Sequence, residues 1–176
     1  MMLNPSVTEI ISPWNDFSYI PESTLQNAAD RGTDTHDACA RIARGEWVIP
    51  SSEITPYVDS FRLWFATMVA EVILTEERFI SELWGFSGQI DLLIKLKDKR
   101  IALIDEKTPV ALKKAWRVQM AAYRFLCEEN GHKIDCVGSL RLSPKGKIGK
   151  MDWYENSVQD FNYLVQALNL YRFFKC

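Results

Sequence analysis

The sequence predicts an α/β fold in which helices flank a mixed β-sheet, and three observations support this prediction. Helical periodicity fills much of the first 71 residues, and apolar runs joined by short polar turns follow it. A further helical segment separates these strands from the later ones. Tight turns join antiparallel strands and a crossover helix joins parallel ones, so the sheet is expected to be mixed.

Four helices are predicted, and their ends follow from residues that favour or break helical backbone. An irregular opening runs through Pro21, and the first helix ends near Gly45. Pro56 fits only in the first turn of the second helix, and Asn130-Gly131 is a typical stop after the third. The last helix is amphipathic. The predicted helices cover residues 22–44, 52–71, 113–129 and 157–174.

The remaining apolar runs have the length and alternation of β-strands. Lys97–Arg100 is polar and forms the expected hairpin turn between two of them, while residues 143–150 form a basic loop. The predicted strands cover residues 72–74, 79–83, 89–96, 101–107, 134–142 and 151–154.

Length and composition restrict the class of protein. The 176 residues contain no internal repeat or low-complexity linker, so residues 1–176 are expected to form a single domain. No uncharged apolar run reaches about 18 residues, and the N-terminus lacks the pattern of a signal peptide, so a cytoplasmic protein without membrane contact is expected. The cysteines lack a CxxC pair and are expected to be reduced thiols at positions 39, 127, 136 and 176.

Carboxylates and a lysine lie inside two segments that otherwise have the pattern of buried strands. Asp105 and Lys107 share one face of their strand, and Glu106 points to the other. Pairing outward from the hairpin turn brings Asp91 level with them. Two carboxylates that converge in this way suit Mg²⁺, and Lys107 would polarise a phosphate or help deprotonate a water. A structural Asp–Lys ion pair is the alternative.

The chain contains four short motifs, which are Arg31-Gly32-Thr33-Asp34-Thr35-His36, Gly88-x-Ile90-Asp91, Asp105-x-Lys107-Thr108 and Gln119-x-x-x-Tyr123. In this order they resemble the PD-(D/E)XK nuclease superfamily, and specifically its RecB-like exonuclease branch. The resemblance covers about residues 22–125 and implies a restriction-endonuclease-like fold. The Pro that gives the superfamily its name is missing before Asp91, as is usual in this branch.

The resemblance implies roles for particular residues. Asp91 and Asp105 would be metal carboxylates, Lys107 the catalytic lysine, and His36 a further metal ligand through its neutral imidazole. Gln119 and Tyr123 lie one helical turn apart and would position the DNA backbone or the lysine, although core packing is the alternative for Tyr123.

A further metal carboxylate is implied by the resemblance, and the sequence leaves its identity open. Glu76 is the preferred candidate, while Glu77 and Glu71 are the alternatives. Some members of the branch hold an iron–sulfur cluster through three grouped cysteines near the C-terminus. The cysteines of this chain are not grouped, so Mg²⁺ or Mn²⁺ is expected and an iron–sulfur cluster is not.

Charge is distributed unevenly along the chain, although the net charge is only −2. Residues 1–94 carry −9 and residues 95–150 carry +8, which predicts a local anion-binding face unless these lysines are simply solvated. Such a face would bind phosphates with a steep salt dependence and little base specificity. Its expected DNA-binding residues are Lys113, Lys114, Arg117, Lys145 and Lys147.

Two functions are therefore predicted. The first is a Mg²⁺- or Mn²⁺-dependent deoxyribonuclease that hydrolyses phosphodiester bonds, favouring the ends of single- or double-stranded DNA, in recombination, repair or phage DNA processing. Such an exonuclease would act in the cytoplasm of a bacterium or an infected host cell, as a homo-oligomer or with a recombination partner protein. The second is a nucleic-acid-binding subunit that keeps the nuclease fold without cutting DNA alone.

Overall fold

The computed structural model of the chain describes residues 4–14, 20–108, 112–155 and 157–175. Within these residues, five α-helices flank a five-stranded mixed sheet, which confirms the predicted α/β class. The helices are α1 (Val7–Ile11), α2 (Glu22–Ala43), α3 (Thr55–Met68), α4 (Ala115–Glu129) and α5 (Ser157–Lys175). The strands are β1 (Val69–Ser81), β2 (Phe86–Leu96), β3 (Ile101–Lys107), β4 (Cys136–Arg141) and β5 (Lys150–Tyr154).

The strands lie in the sheet in the same order as in the chain. Neighbouring strands are antiparallel except β3 and β4, which are parallel because α4 carries the chain back across the sheet. The predicted hairpin joins β2 to β3, and Leu92 pairs with Ile104. The regular pairing ends at Leu92, and beyond it the backbone N–H of Glu106 on β3 donates a hydrogen bond to the Asp91 carboxylate, so Asp91 lies beside the end of β3.

Each face of the sheet has its own apolar core. Helices α1, α4 and α5 cover one face, where Ile90 and Leu103 are fully buried. Helices α2 and α3 cover the other face, where Phe61 and Trp64 pack on Leu92. Within the described part of the chain, no helix has both the length and the apolar character needed to cross a membrane.

The opening of the chain differs from the irregular segment that was predicted, as far as it falls in the described residues. Residues Val7–Ile11 form α1, and a short 3₁₀ turn, Ser12–Trp14, continues it. Ser6 caps α1: its hydroxyl accepts a hydrogen bond from the Glu9 N–H at 3.2 Å, and the Glu9 carboxylate accepts one from the Ser6 N–H at 2.7 Å. This capping box stabilises a helix too short for periodicity to reveal.

The second helix and the first strands were predicted with the wrong boundaries. Helix α3 ends at Met68, because Val69 already has extended backbone and begins β1. The two predicted strands at 72–74 and 79–83 are one strand, β1, which ends at Ser81. Thr75, Glu77 and Arg78, between the apolar runs, continue the strand because they pair with β2. The register of this pairing shifts at two points of β1.

Candidate active site

A cleft of about 830 Å³ opens beside the C-terminal end of β3, between α2 and α4. Most of the side chains that the sequence motifs single out line this cleft, although they come from five different helices and strands. Asp105 does not line the cleft but is buried next to it, with 2% of its surface exposed. The predicted site residues that line the cleft are His36, Glu76, Asp91, Lys107, Gln119 and Tyr123.

Three of these residues form a group that can hold a metal ion. His36 on α2, Glu76 on β1 and Asp91 on β2 each offer one ligand atom, and the three atoms lie within 4.8 Å of one another. The Nδ1 atom of His36 is 3.3 Å from Oδ2 of Asp91. One nitrogen and two carboxylate oxygens are therefore available to one divalent cation.

The backbone of β1 and β2 departs from regular strand geometry at this group. Glu76 has a φ of +55°, a left-handed conformation that side-chain-bearing residues rarely adopt. On β2, Ile90 packs in one core and Leu92 in the other, so regular alternation is interrupted at Asp91. Backbone strain of this kind is found at functional sites, where surrounding contacts maintain it.

Neighbouring groups orient the two carboxylates. The side chain of Gln89 donates a hydrogen bond to Oε2 of Glu76. The backbone N–H of Glu106 donates to Oδ2 of Asp91 at 2.9 Å, and the Thr75 hydroxyl donates to the Asp91 carbonyl at 2.8 Å. The first two bonds hold the carboxylates and the third holds the Asp91 backbone before any ligand binds, which lowers the cost of ordering the donors.

Lys107 is held in place by three contacts. Its Nζ atom lies 2.6 Å from Oδ2 of Asp105 and donates a hydrogen bond to Oε1 of Gln119 at 3.1 Å. The Gln119 amide in turn donates to the Tyr123 hydroxyl at 2.9 Å. The ammonium also lies 5.6 Å from the centre of the Trp116 ring, a cation–π contact with a buried aromatic side chain. These three contacts hold the lysine where it lines the cleft.

The charges of the group are strongly coupled. Burial lowers the pKa of His36, but the Asp91 carboxylate, with Glu106 and Asp105, outweighs this effect and raises the pKa to about 10. Burial raises the pKa of Asp91, but the positive charges of His36 and Lys107 lower it by more, so the net shift of this pKa is downward. Without a bound cation, His36 and Asp91 therefore form an ion pair near neutral pH.

Glu106 is a buried titratable residue that the sequence motifs did not single out. Its side chain lies on the opposite face of β3 from Lys107, where it hydrogen-bonds with Cys39 of α2. Burial raises the pKa of Glu106 to about 8 and that of Asp105 to about 6. Strand alternation placed Glu106 on the face opposite Asp105 and Lys107, so the sequence analysis gave it no role. Its position between these two residues is the one sequence signal that could have indicated one.

The donor set fits a cation such as Mn²⁺ or Mg²⁺. Carboxylate oxygens suit both ions, and an imidazole nitrogen favours Mn²⁺ over Mg²⁺. Apart from its contact with Lys107, the buried Oδ2 atom of Asp105 has no hydrogen-bond partner among the described residues. Asp105 is not part of the three-residue group, and its closest charged partner is Lys107. The site therefore consists of two sets of residues: the metal donors His36, Glu76 and Asp91, and the ion pair of Lys107 with Asp105.

The other candidate carboxylates lie outside the cleft. Glu71 and Glu77 are both exposed on β1. The prediction that Glu71 ends the second helix was wrong, because this residue lies in the strand. Of the three, Glu76 is the one whose carboxylate belongs to the group, and its backbone is left-handed.

The basic residues are spread over a wider surface. Lys113 lines the cleft, and Lys114 lines a neighbouring cavity. Arg117 forms an ion pair with Asp160, with 3.2 Å between Nη2 and Oδ1. Lys145 and Lys147 are exposed in the loop between β4 and β5 and do not line the cleft.

Three of the four cysteines lie in the described residues and are free thiols. Cys39 and Cys127 are buried on different helices, and Cys136 is half-buried at the start of β4. Burial raises the pKa of each of these thiols, which keeps them protonated near neutral pH. Cys176 lies outside the described residues.

The chain was compared with known proteins. No protein-family model matches it, and no curated protein is similar enough to match. One solved structure that matches is described as the crystal structure of SSO0001. It is 14% identical and has a TM-score of 0.39, and the alignment covers 58% of this chain and 51% of that one. A likeness this low carries no argument about fold or function.

Proposed function

We propose that this chain is a Mg²⁺- or Mn²⁺-dependent deoxyribonuclease. The observation that carries the proposal is that a group of metal donors and a fixed lysine face the same cleft. The donors are His36, Glu76 and Asp91, and the lysine is Lys107. A purely binding module needs no carboxylates beside a phosphate, because they repel it. The resemblance of the motifs to RecB-like exonucleases supports the same function.

The residues would divide the work of hydrolysis between them. Bound at the donor group, a divalent cation would lower the pKa of a water and offset phosphate charge. Lys107 would donate a hydrogen bond to a non-bridging phosphate oxygen, where negative charge develops as water adds to phosphorus and the ester oxygen leaves. Asp105 and Gln119 orient the lysine.

We favour exonuclease action on DNA ends, in the cytoplasm of a bacterium or an infected host cell. Lys113, which lines the cleft, would neutralise a phosphate near the scissile bond. The restriction-endonuclease-like classification, and assembly with further copies or a recombination partner, belong to the same proposal.

Digestion of end-labelled DNA tests the proposal. Linear and closed circular DNA, each single- and double-stranded, is incubated with Mg²⁺ or Mn²⁺, and EDTA is expected to abolish cleavage. Asp91→Asn and Lys107→Ala are expected to lose roughly a hundredfold or more of the rate. Lys133→Ala is the matched control, because the Lys133 side chain is 87% exposed and does not line the cleft.

Two outcomes would contradict parts of the proposal. Metal-dependent activity that survives in both Asp91→Asn and Lys107→Ala would show that the site is elsewhere. Cutting of closed circles would leave the nuclease assignment in place but overturn the preference for an exonuclease.

A second candidate function is a DNA-binding subunit that does not cut alone. His36 and Lys107 each form an ion pair, with Asp91 and Asp105 respectively, so these four charges are balanced without any cation, and this observation favours the second candidate. Salt-sensitive DNA binding without cleavage under any divalent metal would support this alternative over the nuclease.

A further inference from the structure

A second cavity lies directly beside the cleft. It has a volume of about 500 Å³ and lies between the 3₁₀ turn after α1, the start of α4 and the middle of α5. Its walls are mainly apolar and aromatic. The side chains that matter for its chemistry are Trp14, Lys114, Val118, Tyr163, Gln166 and Leu170.

The side cavity and the cleft are separated by a shared wall. Ile11 and Ala115 line both of them, so the two spaces adjoin. Two consecutive lysines lie just before the first residue of α4: Lys113 lines the cleft, and Lys114 lines the side cavity. A DNA strand that crosses the shared wall would therefore meet a positive charge on each side.

The aromatic side chains of the side cavity are accessible. Trp14 is 55% exposed and Tyr163 is 49% exposed, whereas the Trp116 ring in the cleft is buried under Lys107. An exposed indole in a concave apolar site offers a flat surface for stacking. Gln166 adds an amide, which can donate to or accept from the edge of a planar heterocycle.

We propose that the side cavity binds an unpaired nucleobase of the DNA strand whose phosphate lies in the cleft. This inference rests on the proposed function, because it places the base next to the phosphate that would be cut. Charge complementarity selects the occupant: Lys113 and Lys114 carry positive charge into the cleft and the side cavity, and an apolar peptide brings no negative charge to match it. A nucleotide brings both a base for the cavity and phosphates for the lysines.

The proposal gives the site a substrate preference. A base inside the cavity cannot remain paired, so single-stranded or frayed ends are preferred over intact duplex. Stacking accepts every base, because each has a π-face, so the preference is for strandedness and not for sequence.

Binding of single-stranded oligonucleotides in EDTA tests the side cavity without cleavage. Trp14→Ala is expected to weaken binding roughly tenfold, as is typical of the loss of one stacked base, whereas Trp14→Phe keeps most of the affinity. Trp47→Ala is the matched control, because Trp47 is 85% exposed and lines neither space. An oligonucleotide series with one abasic position moved along the strand locates the base.

The outcomes separate this inference from the proposed function. If one abasic position weakens wild-type binding but has no effect on Trp14→Ala, the cavity binds that base. If Trp14→Ala binds every oligonucleotide like the wild type, the inference is wrong, whether or not the wild type cleaves DNA in a parallel assay with Mn²⁺. A stacking effect without cleavage supports the cavity while removing the nuclease assignment.

Discussion

The left-handed backbone of Glu76 leads to a stability prediction that does not depend on enzyme activity. Glu76 has a φ of +55° in the middle of β1, next to Asp91 in the metal-donor group. We expect Glu76→Gly to be more stable than Glu76→Ala when no metal is present. Both substitutions remove the same carboxylate, so its electrostatic contribution cancels in the comparison.

The magnitude follows from two opposing terms. A left-handed conformation costs a residue with a Cβ about 1–2 kcal/mol, and glycine does not pay this cost. Glycine loses about 0.5–1 kcal/mol more than alanine through the entropy of the unfolded chain. At the middle of these two ranges the difference favours glycine by about 0.75 kcal/mol, which corresponds to roughly 1.5–3 °C in Tm for a chain of this size.

Urea and thermal unfolding of both variants in EDTA measure this difference. Glu77→Gly and Glu77→Ala form a matched control pair, because Glu77 is exposed on the same strand and has no positive φ. There the order is expected to reverse, with alanine the more stable. If Glu76→Ala is as stable as Glu76→Gly, or more so, the backbone at Glu76 is not strained and the reasoning fails.

Three further predictions concern the surroundings of the site. Gly88→Ala would place its Cβ 2.7 Å from Cε1 of Tyr123, so about 1–3 kcal/mol of stability is expected to be lost in urea unfolding; an unchanged midpoint would contradict this close packing. The pKa of His36 is raised to about 10, so a metal must displace its proton: calorimetry should show Mn²⁺ affinity rising up to tenfold per pH unit between about pH 7 and 9, and a flat profile would exclude His36 as a ligand. Tyr123→Phe removes the hydroxyl that accepts from Gln119, and it should slow cleavage about tenfold at an unfolding midpoint near that of the wild type; an unchanged rate would show that this hydrogen bond does not position Lys107.

Local patterns were enough to predict much of the architecture. Period-two alternation and the polar turn at Lys97–Arg100 predicted the β2–β3 hairpin, and counting outward from the turn predicted that Asp91 lies roughly level with the end of β3. Both signals are local, because a tight turn sets the register of the two strands that it joins. The capping box at Ser6 and Glu9 was also present in the sequence and could have predicted α1.

The tertiary structure decided which side chains meet. The sequence left three glutamates open, and the packing of α2 on β1 and β2 brings Glu76 together with His36 and Asp91. Lys107 meets Gln119 because α4 packs on the sheet, and the two residues are separated by 12 positions in the chain. The side cavity likewise forms only where α1, α4 and α5 come together. Periodicity describes how one segment folds, whereas these contacts depend on how distant segments pack, so a single sequence predicts the elements better than the site.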